Sequence, residues 1–434
     1  MIRGMKPSSL FPAVVRGIVL LAALASAAHA GPLWEDTVLA GGRGGQANAV
    51  VTDGVRVYAG GFVATPDGDV ALVRSYAPRS GALVWEDRPS FGDASLHEIG
   101  SLSIDGGRLF ATAFVTRAGT GRDWVVRTWD ATTGALLWED VRDDGRSGWA
   151  HDVAARDGHA FVVGEADDAP GGRSRFVLRA YDAATGSLRW DRSPGPQGTS
   201  EPGYAVSAHD GRVFAAGPVD DTVHVGAWSA DDGRELWSAG IPGSGTAEEI
   251  AVAGGRVFVA VALARDLLVV AYDDATGAEL WQRRITGRPA GSFDRVENVG
   301  LAATADLVVA GRTLAGDVDL LVAWSADTGA PAWQLPDPGV TRDLQVDGPR
   351  VLGVRGASAL RVRGFALGSG ALALSTALDP DRASLALAHD GPLLFVAGVA
   401  GPGFGTFHVA ALDTRVLGSI RPIVPRGTRL PLAR

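Results

Sequence analysis

The 434-residue chain predicts an all-β fold, an eight-bladed β-propeller of four-stranded antiparallel blades in which the N-terminal strand completes the last blade. Three observations predict it. One short phrase recurs along most of the chain, a strand–turn–strand element precedes each copy, and the two series fall out of step at the ends.

The phrase reads SYAPRSGALVW (Ser75 to Trp85), TWDATTGALLW (Thr128 to Trp138), AYDAATGSLRW (Ala180 to Trp190), AWSADDGRELW (Ala227 to Trp237), AYDDATGAELW (Ala271 to Trp281) and AWSADTGAPAW (Ala323 to Trp333), with a worn copy, GFALGSGALAL, from Gly364 to Leu374. Its glycines, Gly81, Gly134, Gly186, Gly233, Gly277, Gly329 and Gly370, lie between 41 residues (329 to 370) and 53 residues (81 to 134) apart. That period suits one blade of four strands rather than a helical repeat. Each copy is a hairpin by its own chemistry: an alternating strand ends in Tyr or Trp, a polar turn follows, and Gly takes the position that needs positive φ.

The preceding element is a second hairpin, as in VVTDGVRVYAG (Val50 to Gly60) and VSAHDGRVFAAG (Val206 to Gly217). Asp53-Gly54, Asp157-Gly158, Asp210-Gly211, Asp347-Gly348 and Asp390-Gly391 are turn dipeptides, and in the sixth unit the turn has decayed to Ala303-Thr304-Ala305-Asp306. Eight such hairpins are followed by only seven phrases. The orphan is at the other end, where Gly31-Pro32-Leu33-Trp34-Glu35-Asp36 matches the close of a phrase, as in Trp85-Glu86-Asp87. The N-terminal strand is therefore expected to complete the last blade, which removes two open sheet edges.

The A-x-D-x-x-T-G-x-x-x-W phrase resembles the tryptophan-docking motif of the pyrroloquinoline-quinone-type (quinoprotein-like) propellers over nearly all of residues 31–413. The resemblance implies eight radial blades with each motif Trp packed between neighbours, at Trp34, Trp85, Trp138, Trp190, Trp237, Trp281 and Trp333; Leu374 departs from it and puts tight packing of the seventh blade in question. Members of the family include quinone dehydrogenases, which hold the quinone beneath an adjacent-cysteine disulfide and use calcium and an aspartate base, and the lipid-anchored scaffold subunit of the outer-membrane barrel assembly machine. This chain has no cysteine, so it lacks both that disulfide and an anchoring Cys, and it stands closer to the non-catalytic members.

Residues 1–30 read as a signal peptide, with basic Arg3, Lys6 and Arg16, the apolar run Gly17 to Ala27 and the small-x-small site Ala28-His29-Ala30. The run is too short to span a bilayer. A secreted or periplasmic protein without a membrane span after cleavage is expected, with residues 31–413 as the propeller and 414–434, rich in Arg and Pro, as a tail. Lys6 is the only lysine. Thiol nucleophiles, iron–sulfur clusters and lysine-dependent catalysis are thereby excluded from the mature chain. The formal charge of -9, without a long run of like charges, gives no nucleic-acid surface.

Chemistry-bearing residues collect where the loop between blades enters the innermost strand. His97, Glu98, Trp149, His151, Asp152, Glu248, Glu249, Glu297 and Asn298 are the candidate ligand-binding set at a channel rim, beside Gln46, Asn48, Tyr204, Arg342 and Asp343. Such a ring either binds a cation or polar ligand, or merely lines a water-filled channel. Trp149 is either an exposed aromatic platform or a loop anchor. His224 and His408 occupy positions taken by aliphatic residues in other units and are expected inside their blades, while His209 and His389 precede turns and are expected to be exposed. Ser147, His151 and Asp152 make a poor triad, because adjacent strand residues point to opposite faces. No catalytic residue, metal site or cofactor is assigned. The expectation is a monomeric extracytoplasmic binding or scaffold propeller, with a protein partner or small polar ligand; the alternative is a quinone-dependent dehydrogenase.

Overall fold

The computed structural model describes residues 31–417, apart from 39–43, 92–95, 118–120, 143–146, 168–172, 195–203, 265, 287–295, 315–318, 337, 340–341, 355–360, 378–381 and 402–404. The expected leader, and the tail after 417, lie outside the described residues. The described chain forms eight four-stranded antiparallel sheets. Blade 1 is Gly45–Thr52, Val57–Thr65, Gly68–Tyr76 and Leu83–Asp87, and blade 2 is Leu96–Asp105, Arg108–Arg117, Gly121–Asp130 and Leu136–Arg142. Blade 3 is Gly148–Arg156, His159–Asp167, Ser174–Asp182 and Leu188–Arg192, and blade 4 is Ala205–His209, Arg212–Val219, Thr222–Ser229 and Glu235–Pro242. Blade 5 runs from Thr246–Ala253 to Glu279–Ile285, blade 6 from Val296–Ala303 to Pro331–Pro336 and blade 7 from Arg342–Asp347 to Leu372–Ala377.

Blade 8 is Arg382–Asp390, Leu393–Ala400 and Phe407–Asp413, and its fourth strand is Trp34–Val38. The register runs from Trp34 opposite Ala411 to Val38 opposite Phe407. The eight-bladed ring and its closure by the N-terminal strand are as the repeat phase predicts. The first strand of each blade packs against the first strand of the next, from blade 1 round to blade 8 and back, so these strands wall the central channel.

Local chemistry explains the hairpins. At Asp157-Gly158 and Asp210-Gly211 both central residues have positive φ, at 52° and 80° and at 47° and 69°, the two-residue turn that matches strand twist. In the phrase, Asp130 Oδ1 accepts hydrogen bonds from Thr132 N (3.1 Å), Thr133 N (2.8 Å) and Thr133 Oγ1 (2.9 Å), and Asp182 and Asp273 repeat the pattern. The spacing of Asp and Thr is thus a closed turn.

The core lies between blades. Trp85 Nε1 donates to Ala131 O at 3.0 Å, and equivalent bonds carry Trp34 to Pro78 O, Trp138 to Ala183 O, Trp190 to Ala230 O, Trp237 to Asp274 O, Trp281 to Ala326 O and Trp333 to Leu367 O. Each ring lies flat on the phrase glycine of the following blade: a Cβ on Gly134 would meet Trp85 at 2.6 Å and one on Gly81 would meet Trp34 at 2.5 Å. That glycine therefore serves the turn and the seam together. A further latch follows the Trp, because Asp36 accepts from Tyr76 OH at 2.7 Å, Asp87 from Trp129 Nε1 at 2.7 Å and Asp140 from Tyr181 OH at 2.7 Å.

Leu374 does not leave the seventh seam loose. It is 1 % exposed and packs with Leu412 and Leu417. Leu417 stands five residues after Leu412, as Gly81 stands five after Tyr76, and its N–H closes the same turn on Asp413 O. Where the Trp is lost its glycine seat is lost too, and two leucines fill the space.

Candidate functional site

The channel wall is shaped by a β-bulge repeated in seven blades. The register of the first strand slips between Ala47 and Ala49, Ile99 and Ser101, Ala150 and Asp152, Ala247 and Glu249, Val296 and Asn298, Arg342 and Leu344, and Ser384 and Ala386. A bulge places two residues opposite one and re-aims both. Consequently His151 and Asp152 line one cavity, as do Glu248 and Glu249. Strict alternation does not hold here, so the expectation that His151 and Asp152 point apart is corrected.

The cavity measures about 630 Å³ and is lined by Asn48, Ser101, His151, Asp152, Tyr204, Glu248, Glu249, Arg342, Asp343 and Gln345, with apolar strand residues between them. Most of its charged groups are tied to neighbouring blades. Asp152 Oδ1 accepts from Ser101 Oγ in blade 2 (2.7 Å) and Oδ2 from Val206 N in blade 4 (3.1 Å). Glu249 Oε2 accepts from Leu301 N in blade 6 at 2.6 Å, and Asp343 Oδ2 from Leu387 N in blade 8 at 2.7 Å. Asn48 Nδ2 donates to Ile99 O in blade 2 at 2.8 Å and to Glu98 Oε1 at 2.6 Å. Odd-numbered blades thus each send a polar side chain to the next even-numbered blade, and blade 7 adds a second, Gln345, whose Nε2 donates to Leu387 O.

Withdrawal from water disfavours ionised carboxylates, and the channel shows it. Burial pushes Asp343 up to about 6 and raises Asp152. Glu249 is pushed well above the carboxylate range, by burial first and by the charge of Asp343 second. Arg342 is shifted down by burial despite Asp343, Glu248 and Glu249. His151 is lowered to about 3 by burial and then by Arg122, so its imidazole is neutral.

Beside the carboxylates the wall is aromatic. The His151 ring lies 4.8 Å from Trp149 and 4.9 Å from Tyr204, and Trp149 meets Phe114 edge-on at 4.5 Å with Arg122 over its face at 4.1 Å. The Nε1 of Trp149 and the Nε2 of His151 are buried without a hydrogen-bond partner. Trp149 is therefore a half-buried member of this cluster, on a strand rather than a loop.

The remaining sequence candidates divide. Glu98 reaches the site through Asn48, and burial raises its carboxyl. His97 is buried against Phe91 at 5.6 Å and does not line the cavity. Glu297 and Asn298 fall in the first strand of blade 6, with side chains outside those described. His408 is 1 % exposed inside its blade, His224 is half-buried against Phe176 and Trp228, and His209 and His389 are half-buried rather than exposed. Trp124 is fully buried and donates to Tyr181 OH at 3.1 Å. Ser101 and Gln345 escaped the sequence reading; their one signal is a polar side chain on the same inner strand as His97 and Glu98, or as Arg342 and Asp343. No triad forms, since Asp152 is engaged with Ser101 and backbone amides. Among the described residues no group of three His, Cys, Asp or Glu side chains is placed to hold a metal ion, and no helix is long and apolar enough to cross a membrane.

Two overlapping stretches, residues 174–311 and 265–415, match the family model described as outer membrane protein assembly factor BamB. No curated protein matches the chain. Among solved structures it is similar to BamB from Moraxella catarrhalis, with 16% identity, 81% of this chain and 96% of that chain covered, and a TM-score of 0.52. It is also similar to the quinohemoprotein alcohol dehydrogenase from Comamonas testosteroni (13% identity, 93% and 78% covered, TM-score 0.57). A third is Chaetomium thermophilum Sqt1, solved bound to the N-terminus of the ribosomal protein L10 (14% identity, 88% and 100% covered, TM-score 0.57). At these identities the likeness is one of fold, and the fold is shared by scaffolds and enzymes alike.

Proposed function

The chain belongs to the family of the outer membrane protein assembly factor BamB, and from that premise we propose that it is an extracytoplasmic, non-catalytic binding propeller that holds a protein partner. The observation that carries this reading is the use of the channel carboxylates. Asp152 engages both carboxylate oxygens, and Glu249 and Asp343 one each, in bonds between blades, which tie the ring together. The leader-like residues 1–30 support export, and Sqt1 bound to the N-terminus of the ribosomal protein L10 is a precedent on this fold for holding a segment of another protein.

Pyrroloquinoline quinone does not fit the residues present. The chain has no cysteine to form the disulfide that the resemblance implies above the quinone, and among the described residues the channel carboxylates Asp152, Glu249 and Asp343 bond to neighbouring blades and no three acidic or His side chains are placed to hold a metal ion. The test adds the quinone with calcium to the purified mature protein. No dye reduction with alcohols or sugars and no rise in melting temperature are expected, because a ligand bound to the folded state would raise it. Saturable quinone binding near one equivalent with substrate oxidation overturns the reading. Recovery of the protein in the cytoplasm with residues 1–30 intact overturns its extracytoplasmic part.

A further inference from the structure

Seven of the eight blades tie their two hairpin turns together at the same place. The second turn residue of the phrase donates its N–H to the carbonyl that ends the first hairpin turn of its own blade: Ala131 to Gly107, Ala183 to Gly158, Ala230 to Gly211, Asp274 to Gly255, Ala326 to Asp306, Leu367 to Pro349 and Thr414 to Pro392, at 2.8–3.1 Å. In blade 1 that residue is Pro78, which has no N–H to give. The carbonyl in register is that of Val55, which stands two residues before Val57 as Gly107 stands two before Leu109, and Val55 is 71 % exposed. The same turn has lost its clasp as well. Ala77 stands where Asp130, Asp182 and Asp273 each accept from the Thr three residues on. Blade 7 has Ala366 there but keeps the bond between its turns, so among the described turns blade 1 alone lacks both ties. A groove of about 460 Å³ opens beside it, lined by Val55, Pro78 and Arg79 of blade 1 and by Asp390, Pro392 and Leu393 of blade 8.

This untied turn is the seat of the strand that closes the ring. Trp34 lies on Gly81 and donates to Pro78 O at 2.8 Å. Unlike the fourth strand of every other blade, Trp34–Val38 has no hairpin turn joining it to the third strand of its own sheet. Two separate weaknesses therefore meet at one seam. Two residues further on, Asp36 is held by Arg74 and by Tyr76 OH, which anchors the strand beyond Trp34. We propose that the seam between blades 8 and 1 is the ring's point of local opening, where Leu33 and Trp34 lift from the blade 1 turn while Asp36 stays latched and the other seams stay closed. In the open state Leu33 N–H leaves Ala411 O, and the outer edge of Phe407–Asp413 is unpaired near Ala411. Such local openings cost less free energy than global unfolding, and amide exchange reads them. This device stands beside the binding reading and does not rest on it.

Hydrogen–deuterium exchange of the whole mature protein, resolved to single amides in the phrase turns and fourth strands, tests this. The amides of Ala77 and Gly81 make the same turn bonds as those of Asp130 and Gly134, and as those of Asp182 and Gly186. Relative to intrinsic rates they should exchange about tenfold faster than these counterparts, and so should Leu33 relative to Leu137, the residue before Trp138. Pro78→Ala supplies the missing donor with a residue that four other blades use at this place, and should slow all three amides by roughly threefold to tenfold. Exchange that comes only from fraying of a chain end does not respond to that change. Melting temperature is not the readout, because removing a proline also frees the unfolded chain. The proposal is overturned if the three amides are as protected as their counterparts, if Pro78→Ala leaves their exchange unchanged, or if only Ala77 and Gly81 respond while Leu33 does not, which would mean a loose turn under a closed seam.

Discussion

Deleting residues 31–40 and deleting residues 420–434 remove similar lengths of chain and should have unequal consequences. The first removes Trp34–Val38, which pairs with the outer edge of Phe407–Asp413, and with it the seam between blades 8 and 1. Trp34 is 9 % exposed, its Nε1 donates to Pro78 O at 2.8 Å, and its ring lies 5.3 Å from Tyr76 and 6.4 Å from Phe395. Two residues on, Asp36 receives Arg74 at 2.5 Å and Tyr76 OH at 2.7 Å. Replacing Trp34 alone by Ala should cost ~3–5 kcal/mol, as for large buried aromatic residues, which lowers the melting midpoint by about 4–6 °C in a domain of this size. Losing the whole strand should cost more and expose a sheet edge that promotes aggregation. Scanning calorimetry of the parent, Trp34→Ala and the two truncations gives the comparison. Equal midpoints for the two truncations would refute closure by the N-terminal strand, whatever the absolute values.

Two other perturbations separate effects that the fold combines. Gly134 and Gly211 both have positive φ, at 74° and 69°, but a Cβ at 134 meets Trp85 at 2.6 Å while one at 211 meets nothing within 4 Å. Gly211→Ala should cost ~1–2 kcal/mol of backbone strain, and Gly134→Ala a further ~1–3 kcal/mol of overpacking; equal urea midpoints would mean the Trp does not depend on its glycine seat. Asp343→Asn keeps an acceptor for Leu387 N–H and removes a charge whose carboxyl is raised from 3.8 to about 6. The folded state then holds a proton between pH 4 and 6 that the unfolded chain has lost, so parent stability should fall across that window by ~3 kcal/mol from this group. The Asn variant should show a shallower fall and equal or greater stability at pH 7.5, whereas an unchanged pH profile would show that Asp343 ionises freely.

Much of the scaffold was legible because propeller hairpins are local. Asp157-Gly158 turns the chain by its own φ preferences, Asp130 closes its turn on Thr133 three residues away, and the odd copy at Trp34 betrays the closure by phase alone. The site was legible only as a set of polar strand starts. His151 and Asp152 were read as pointing apart because period-two alternation is the only rule a sequence offers for a strand, and nothing in Trp149-Ala150-His151-Asp152 announces a bulge. His97 carried the same signal as His151, yet it packs against Phe91 instead of facing the cavity.

The sequence by itself determined the number of blades, their turns, the position of each seam Trp and the strand that closes the ring, since all of these follow from backbone preferences repeated about every fifty residues. Only the tertiary structure decided that Leu374 and Leu417 replace a Trp and its glycine seat as a pair, and that Asp152, Glu249 and Asp343 tie blades 3, 5 and 7 to blades 4, 6 and 8. The bonded partners lie 44 to 54 residues apart in the chain and meet only when neighbouring blades pack side by side. Whether a carboxylate bridges two blades or stands free in the channel therefore depends on the packed ring, which no local pattern encodes.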